Sequence, residues 1–85
     1  MEVAYSPQAH EDIRYWKKSG NIKIQERITA LIEDIKLQPF AGIGKPEPLK
    51  YELSGKWSRR IDRENRVVYA VKDNTLYVYT LKGHY

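Results

Sequence analysis

The stretch PFAGIGKPEP, residues 39–48, constrains this chain more than any other part of it. Three prolines and two glycines fall within ten residues. Proline fixes φ and removes a backbone donor, while glycine opens conformations that other residues avoid. No regular helix crosses such a segment. Any helix that starts earlier must end by Pro39, and the rest of the chain must begin a new pattern.

The two sides do differ. On the N-terminal side, Glu2-Val3-Ala4-Tyr5 reads as a short strand, and Ser6-Pro7 supplies a helix N-cap followed by a proline at the first helical position. Ala9, Ile13 and Trp16 then recur at helical spacing, and Ser19-Gly20 stops the run. A second helix is predicted from near Asn21 to Pro39, with an apolar stripe of Ile24, Ile28, Leu31 and Ile35 widened by Ile32. On the C-terminal side the period shortens. Strands are predicted at Leu49–Leu53, turned by Ser54-Gly55, and at Trp57–Ile61, Asn65–Val71 and Thr75–Leu81, with a turn at Lys72-Asp73-Asn74. The run Val67-Val68-Tyr69-Ala70-Val71 suits a central strand covered on both faces. The order β-α-α-β-β-β-β predicts an α+β fold: a mostly antiparallel sheet with both helices on one face.

At 85 residues and 41% apolar composition, the expectation is one domain, residues 1–85, with one core. The chain has no cysteine, which excludes disulfides and thiolate metal sites. No apolar run approaches the roughly 20 residues that span a bilayer, and the N-terminus lacks the pattern of a signal peptide. The expectation is a cytoplasmic protein that makes no use of a membrane. The net charge is +4. Residues 1–40 hold six basic and six acidic side chains, and residues 41–85 hold nine and five, so the excess lies in the second half. That asymmetry fits a polyanionic partner, and it also fits solubility alone.

Three features of that half carry possible chemistry. In Lys45-Pro46-Glu47-Pro48, prolines on both sides stiffen the backbone around Glu47; the tetrapeptide alone also fits a solvated turn glutamate. Arg59, Arg60, Arg63 and Arg66, with Lys50 and Lys56, offer forks and point charges suited to phosphate. Arg59 and Arg60 must face opposite sides of a strand. Trp57 shares the parity of Arg59 and fits either packing or stacking on a base. The alternative for the arginines is an exposed basic face paired with Asp62 and Glu64. Third, the chain ends in His84-Tyr85, three residues beyond a predicted strand. Histidine changes charge most easily near neutral pH, although a terminal one is often incidental. His10 sits on the first helix and takes no role.

Together these groups suit one reaction. RNA is cut when its 2′-hydroxyl attacks the adjacent phosphate. The reaction needs a base, an acid for the leaving 5′-oxygen and cations for the charge on phosphorus. A glutamate, a histidine and arginines suffice, so neither metal nor cofactor is expected. No metal-ligand spacing, P-loop or Gly-x-Ser-x-Gly elbow is found.

GKPEPLK at 44–50, LSGKWSRRI at 53–61, RVVYAV at 66–71 and the final HY, with YSP at 5–7 and QPF at 38–40, resemble the YoeB (Txe/YoeB) family of the RelE/ParE toxin superfamily. The resemblance runs along nearly the whole chain. It implies a RelE-like microbial RNase fold and the toxin of a type II toxin-antitoxin pair. Such a toxin cuts translated mRNA in the ribosomal A site and stops translation. It also implies a YefM-like antitoxin with an acidic, extended C-terminal segment, joint repression of the operon, and a homodimer. By the same resemblance Glu47 is the base, His84 the acid and Arg66 the phosphate-binding cation. Lys45, Lys50, Arg59, Arg60 and Tyr85 are implied to help hold RNA. Gly83 departs from the family, which often carries a bulkier or aromatic residue there, and adds backbone freedom before His84. The competing readings are a gyrase-poisoning, ParE-like inhibitor on the same fold and a basic RNA-binding module without chemistry.

Overall fold

The structure, a computed structural model, describes residues 1–83. Its elements are β1 (Glu2–Tyr5), α1 (Pro7–Ser19), α2 (Ile22–Leu37), β2 (Glu47–Pro48), a 3-10 turn (Tyr51–Leu53), β3 (Trp57–Arg60), β4 (Arg66–Lys72) and β5 (Thr75–Thr80). The five strands form one mixed sheet in the order β1-β5-β4-β3-β2. β1 runs parallel to β5, and the other neighbours are antiparallel. The α+β fold expected from the sequence is therefore present. Among the described residues, no helix is long and apolar enough to cross a membrane.

Local chemistry explains the helix ends. The Ser6 hydroxyl accepts from the Ala9 amide and donates to the Tyr79 carbonyl, so one side chain caps α1 and ties it to β5. Gly20, in the left-handed region at φ 70°, closes α1. The Asn21 side chain caps α2 by accepting from the Ile24 amide. Both helices cover one face of the sheet. Ala9, Trp16, Ile24, Leu31, Ile32 and Ile35 pack there on Val67, Tyr69, Leu76, Val78 and Leu81. β4 occupies the middle of the sheet, and Val67, Val68 and Tyr69 are buried on both of its faces.

Two predicted strands change. Leu49–Leu53 is not a strand: pairing is confined to Glu47–Pro48, and Tyr51–Leu53 winds into a 3-10 turn closed by Leu53 N–H donating to Lys50. Tyr51 has φ +59°, which breaks an extended run. The last strand stops at Thr80 because a bulge shifts its register against β4: Val68 pairs with Thr80, while Tyr69 pairs with Val78. Unbroken alternation would send Leu81 to the face of Tyr77 and Tyr79. The extra residue reverses that, and Leu81 joins the core at 0% exposure.

Candidate active site

The face that the helices leave uncovered carries the site. Register decides which residues share it. Glu47 pairs with Ser58, Ser58 with Val68, and Arg60 with Arg66, so these side chains lie on one face, while Trp57, Arg59, Val67 and Tyr69 turn toward the helices. Leu49 and Val68 are buried outside the main core and give the open face a small apolar floor. At its edge Glu47 Oε1 stands 3.6 Å from Arg66 Nη1, with the Glu47 side chain 55% exposed and that of Arg66 16% exposed. This is an ion pair just longer than a hydrogen bond. The arginine is largely covered, and only the carboxylate is open to water. The carboxylate stays open to a substrate and the guanidinium lies within reach of the same atoms.

Lys45, Lys50 and Arg60 are exposed, and Arg60 lies directly opposite Arg66. Lys56, grouped with the arginines in the sequence, holds its Nζ 4.2 Å from the centre of the Tyr79 ring. Arg59 requires a correction. Its side chain is fully buried on the helix side of the sheet, so it is no part of an RNA-facing surface. Nη1 lies 2.5 Å from Asp34 Oδ2, and Nε donates to the Tyr69 hydroxyl at 3.2 Å. The Asp34 carboxyl is held below the ordinary carboxylate range by the Gln38 amide, then by Arg59 and the Ile43 N–H. Burial raises the Tyr69 phenol, with Arg59 opposing the rise. Nor does Asp62 pair with the arginines. Its Oδ1 accepts from the Glu64 and Asn65 amides and closes the turn before β4.

His84 and Tyr85 lie outside the described residues. The chain leading to them is held as far as Gly83. Past the bulge, Leu81 leaves the strand ladder, and α1 side chains satisfy its backbone: Asp12 Oδ2 accepts its N–H at 2.9 Å and Trp16 Nε1 donates to its carbonyl at 2.8 Å. Gly83 N–H donates to Asn65 Oδ1 at 2.8 Å, and its carbonyl accepts from the Arg66 amide at 3.2 Å. Gly83 sits at φ +83°, and a Cβ there would meet nothing within 4 Å among the described residues, so the backbone angle favours glycine and space there does not. The freedom expected at Gly83 is thus taken up by two hydrogen bonds beside Arg66. Asp12 and Asn65 were missed in the sequence. Asp12 was legible in part, as a carboxylate one turn from Ala9 and Trp16 on the buried stripe.

A five-stranded sheet with two N-terminal helices is the architecture that the resemblance implies, and comparison with known proteins agrees. Residues 5–85 match the family described as YoeB-like toxin of bacterial type II toxin-antitoxin system. The chain belongs to that family. It is 45% identical to Toxin YoeB of Escherichia coli (strain K12) over 85 residues, covering 100% of both chains. Its fold matches the YoeB/ParE toxin from Agrobacterium tumefaciens with a TM-score of 0.96 at 39% identity, again covering 100% of both chains. Staphylococcus aureus YoeB has been solved in complex with YefM (TM-score 0.90, 42% identity) and as a dimer (TM-score 0.91, 41% identity), each match covering 100% of this chain and 98% of the other.

Proposed function

We propose that the chain is a ribosome-dependent endoribonuclease that cuts translated mRNA in the A site. The observation that carries this reading is the Glu47–Arg66 pair, 3.6 Å apart, with the carboxylate more than half exposed, Arg60 on the same face, and Lys45 and Lys50 exposed nearby in the chain. Glu47 takes the proton of the 2′-hydroxyl as its oxygen attacks phosphorus. The bond to the 5′-oxygen breaks, and that oxygen receives a proton from His84. The products are a 2′,3′-cyclic phosphate and a 5′-hydroxyl. Arg66 meets the charge that grows on the phosphate oxygens, where a fixed donor contributes most. Lys45, Lys50, Arg60 and Tyr85 hold the RNA. All of these groups belong to the protein, and the step asks for no metal or cofactor.

Family membership supports the remainder of the reading. A YefM-like antitoxin occupies the toxin and joins it in repressing their operon, the toxin pairs as a homodimer, and it acts in the cytoplasm where ribosomes translate. The test is to map RNA ends after induction of the parental protein and of Glu47→Gln. Cuts within codons of translated messages, lost in a folded Glu47→Gln protein that still binds ribosomes, are expected. DNA damage with intact messages would overturn the reading in favour of a gyrase poison.

A further inference from the structure

Arg59 occupies a place where the strand pattern calls for an apolar residue, and a buried cation persists only if its donors are answered. All five guanidinium N–H groups are answered. Nε donates to Tyr69 Oη, Nη1 to Asp34 Oδ2 and the Ile43 carbonyl, and Nη2 to the carbonyls of Gln38 and Ala41 at 2.5 and 2.6 Å. Tyr69 Oη in turn donates to the Pro39 carbonyl at 2.6 Å. Asp34 Oδ2 also accepts from the Ile43 amide at 3.1 Å, and the Arg60 amide donates to the Gly44 carbonyl at 2.7 Å. The segment 38–44 has no helix or strand of its own. Its carbonyls instead converge on one arginine and the groups around it. Gly44 lies so close that a Cβ there would stand 2.8 Å from Leu31 and 3.2 Å from the Arg59 Cβ.

We infer that Arg59 is a positioning residue for the Glu47–Arg66 site: it holds the 38–44 loop, and through it the height at which Glu47 faces Arg66. The inference rests on the reading of Glu47 as the base. Only Lys45 and Pro46 separate Gly44 from Glu47, a reach of about 10 Å at most. Proline holds its own φ and restricts its predecessor, so little slack is left to absorb a displaced loop. The same residue, through its strand neighbour Arg60, ties that loop to the register opposite Arg66. Lysine, with three donors on a flexible stem, does not reproduce the fork.

Two mild substitutions keep the packing: Tyr69→Phe removes the hydroxyl between Arg59 and Pro39, and Asp34→Asn removes the charge on α2. The measurements are hydrogen exchange at the Ile43 and Arg60 amides and kcat and KM for cleavage of ribosome-bound message by the full chain. Exchange at both amides is expected to quicken by about tenfold, the equivalent of one net hydrogen bond, while the Val67 amide in the central strand is unchanged. Displacing the base should lower kcat by about 10- to 100-fold with KM little altered. A variant with a loosened loop and parental kcat overturns the inference, as does unchanged exchange in both variants. If the parental protein cuts no message, the proposed function fails instead, and the exchange data still decide whether Arg59 holds the loop.

Discussion

Arg59 and Arg66 stand on adjacent strands, each with a carboxylate partner, and they do opposite work. Arg59 is sealed, with every donor used and Asp34 at 2.5 Å. Arg66 keeps a looser partner at 3.6 Å, and that partner is mostly in water. The difference comes from β-strand alternation. Arg59 is at a helix-facing position, Arg66 at an open-face position. A buried ion pair is costly to break because the orphaned charge has no water to turn to. The Glu47–Arg66 pair keeps its guanidinium largely covered and leaves its carboxylate more than half in water, open to a ligand. Under the proposed function, similar residue pairs thus divide into scaffold and chemistry.

The sharpest way to break this contrast is to remove each arginine and measure unfolding in denaturant. Arg59→Ala is expected to cost about 3–5 kcal/mol, because it empties a fully buried side-chain site and takes the donor from the carbonyls of the 38–44 loop. Arg66→Ala should cost less than that, because its partner carboxylate is more than half in water. Equal losses would mean that the two pairs do not differ in kind. Cleavage should reverse the order among folded proteins: Arg66→Ala should lose about 3–4 kcal/mol of transition-state stabilisation. Near-parental cutting of message by a protein with normal melting would remove Arg66 from the chemistry.

The held chain end extends the comparison. Asp12→Leu leaves the Leu81 N–H without its acceptor. A loss of about 1–3 kcal/mol is expected, with faster exchange at the Leu81 amide as the specific readout. A smaller effect is expected on the open face. Neutralising Lys45, Lys50 and Arg60 together should flatten the salt dependence of ribosome or RNA binding by about 2 units of log–log slope, if each meets one phosphate of a single strand. An unchanged slope would make them ordinary solvated surface.

Acid titration gives the mildest test. Asp34 has a folded-state pKa below its unfolded value. Its contribution to stability is therefore complete above the unfolded value of about 3.9 and is lost as pH falls from there through the folded pKa. Stability measured from pH 5 downward should fall more steeply for the parental protein than for Asp34→Asn. Parallel curves would show that the Arg59 pair does not depend on the ionised carboxylate.

How far the sequence could be read depended on whether a signal was local. The cap at Ser6, the start of the second helix near Asn21 and the helix stripe of Ile24, Leu31 and Ile35 were legible because each is set within a few residues. So was the parity that parts Arg59 from Arg60. Proline on either side of Glu47 marked a stiff carboxylate, while its approach to Arg66 comes from the strand register. What parity could not supply was which side the helices cover. With that choice open, Arg59 was assigned to RNA, and the structure places it in the core. The strand predicted at Leu49–Leu53 failed for a related reason. An apolar Leu49 and Leu53 satisfy alternation, but the backbone groups of the segment are met by local turns and by Lys56.

The sequence by itself determined the order of elements, the break at 39–48, the absence of thiol chemistry and the family. The first three follow from composition or from short-range rules of backbone and period, and the family from the resemblance of its motifs. Only the tertiary structure decided that a bulge near Tyr79 returns Leu81 to the core, that Asp12 and Trp16 hold the Leu81 backbone, and that a loop with no regular structure folds around the Arg59 guanidinium. These are contacts between residues far apart in the chain, with partners 65 and 69 positions away for Leu81 and 16 to 25 for the loop and α2 carboxylate on Arg59. Their existence depends on burial. A polar group withdrawn from water must find whatever partner the packed fold brings to it, and no local rule names that partner in advance.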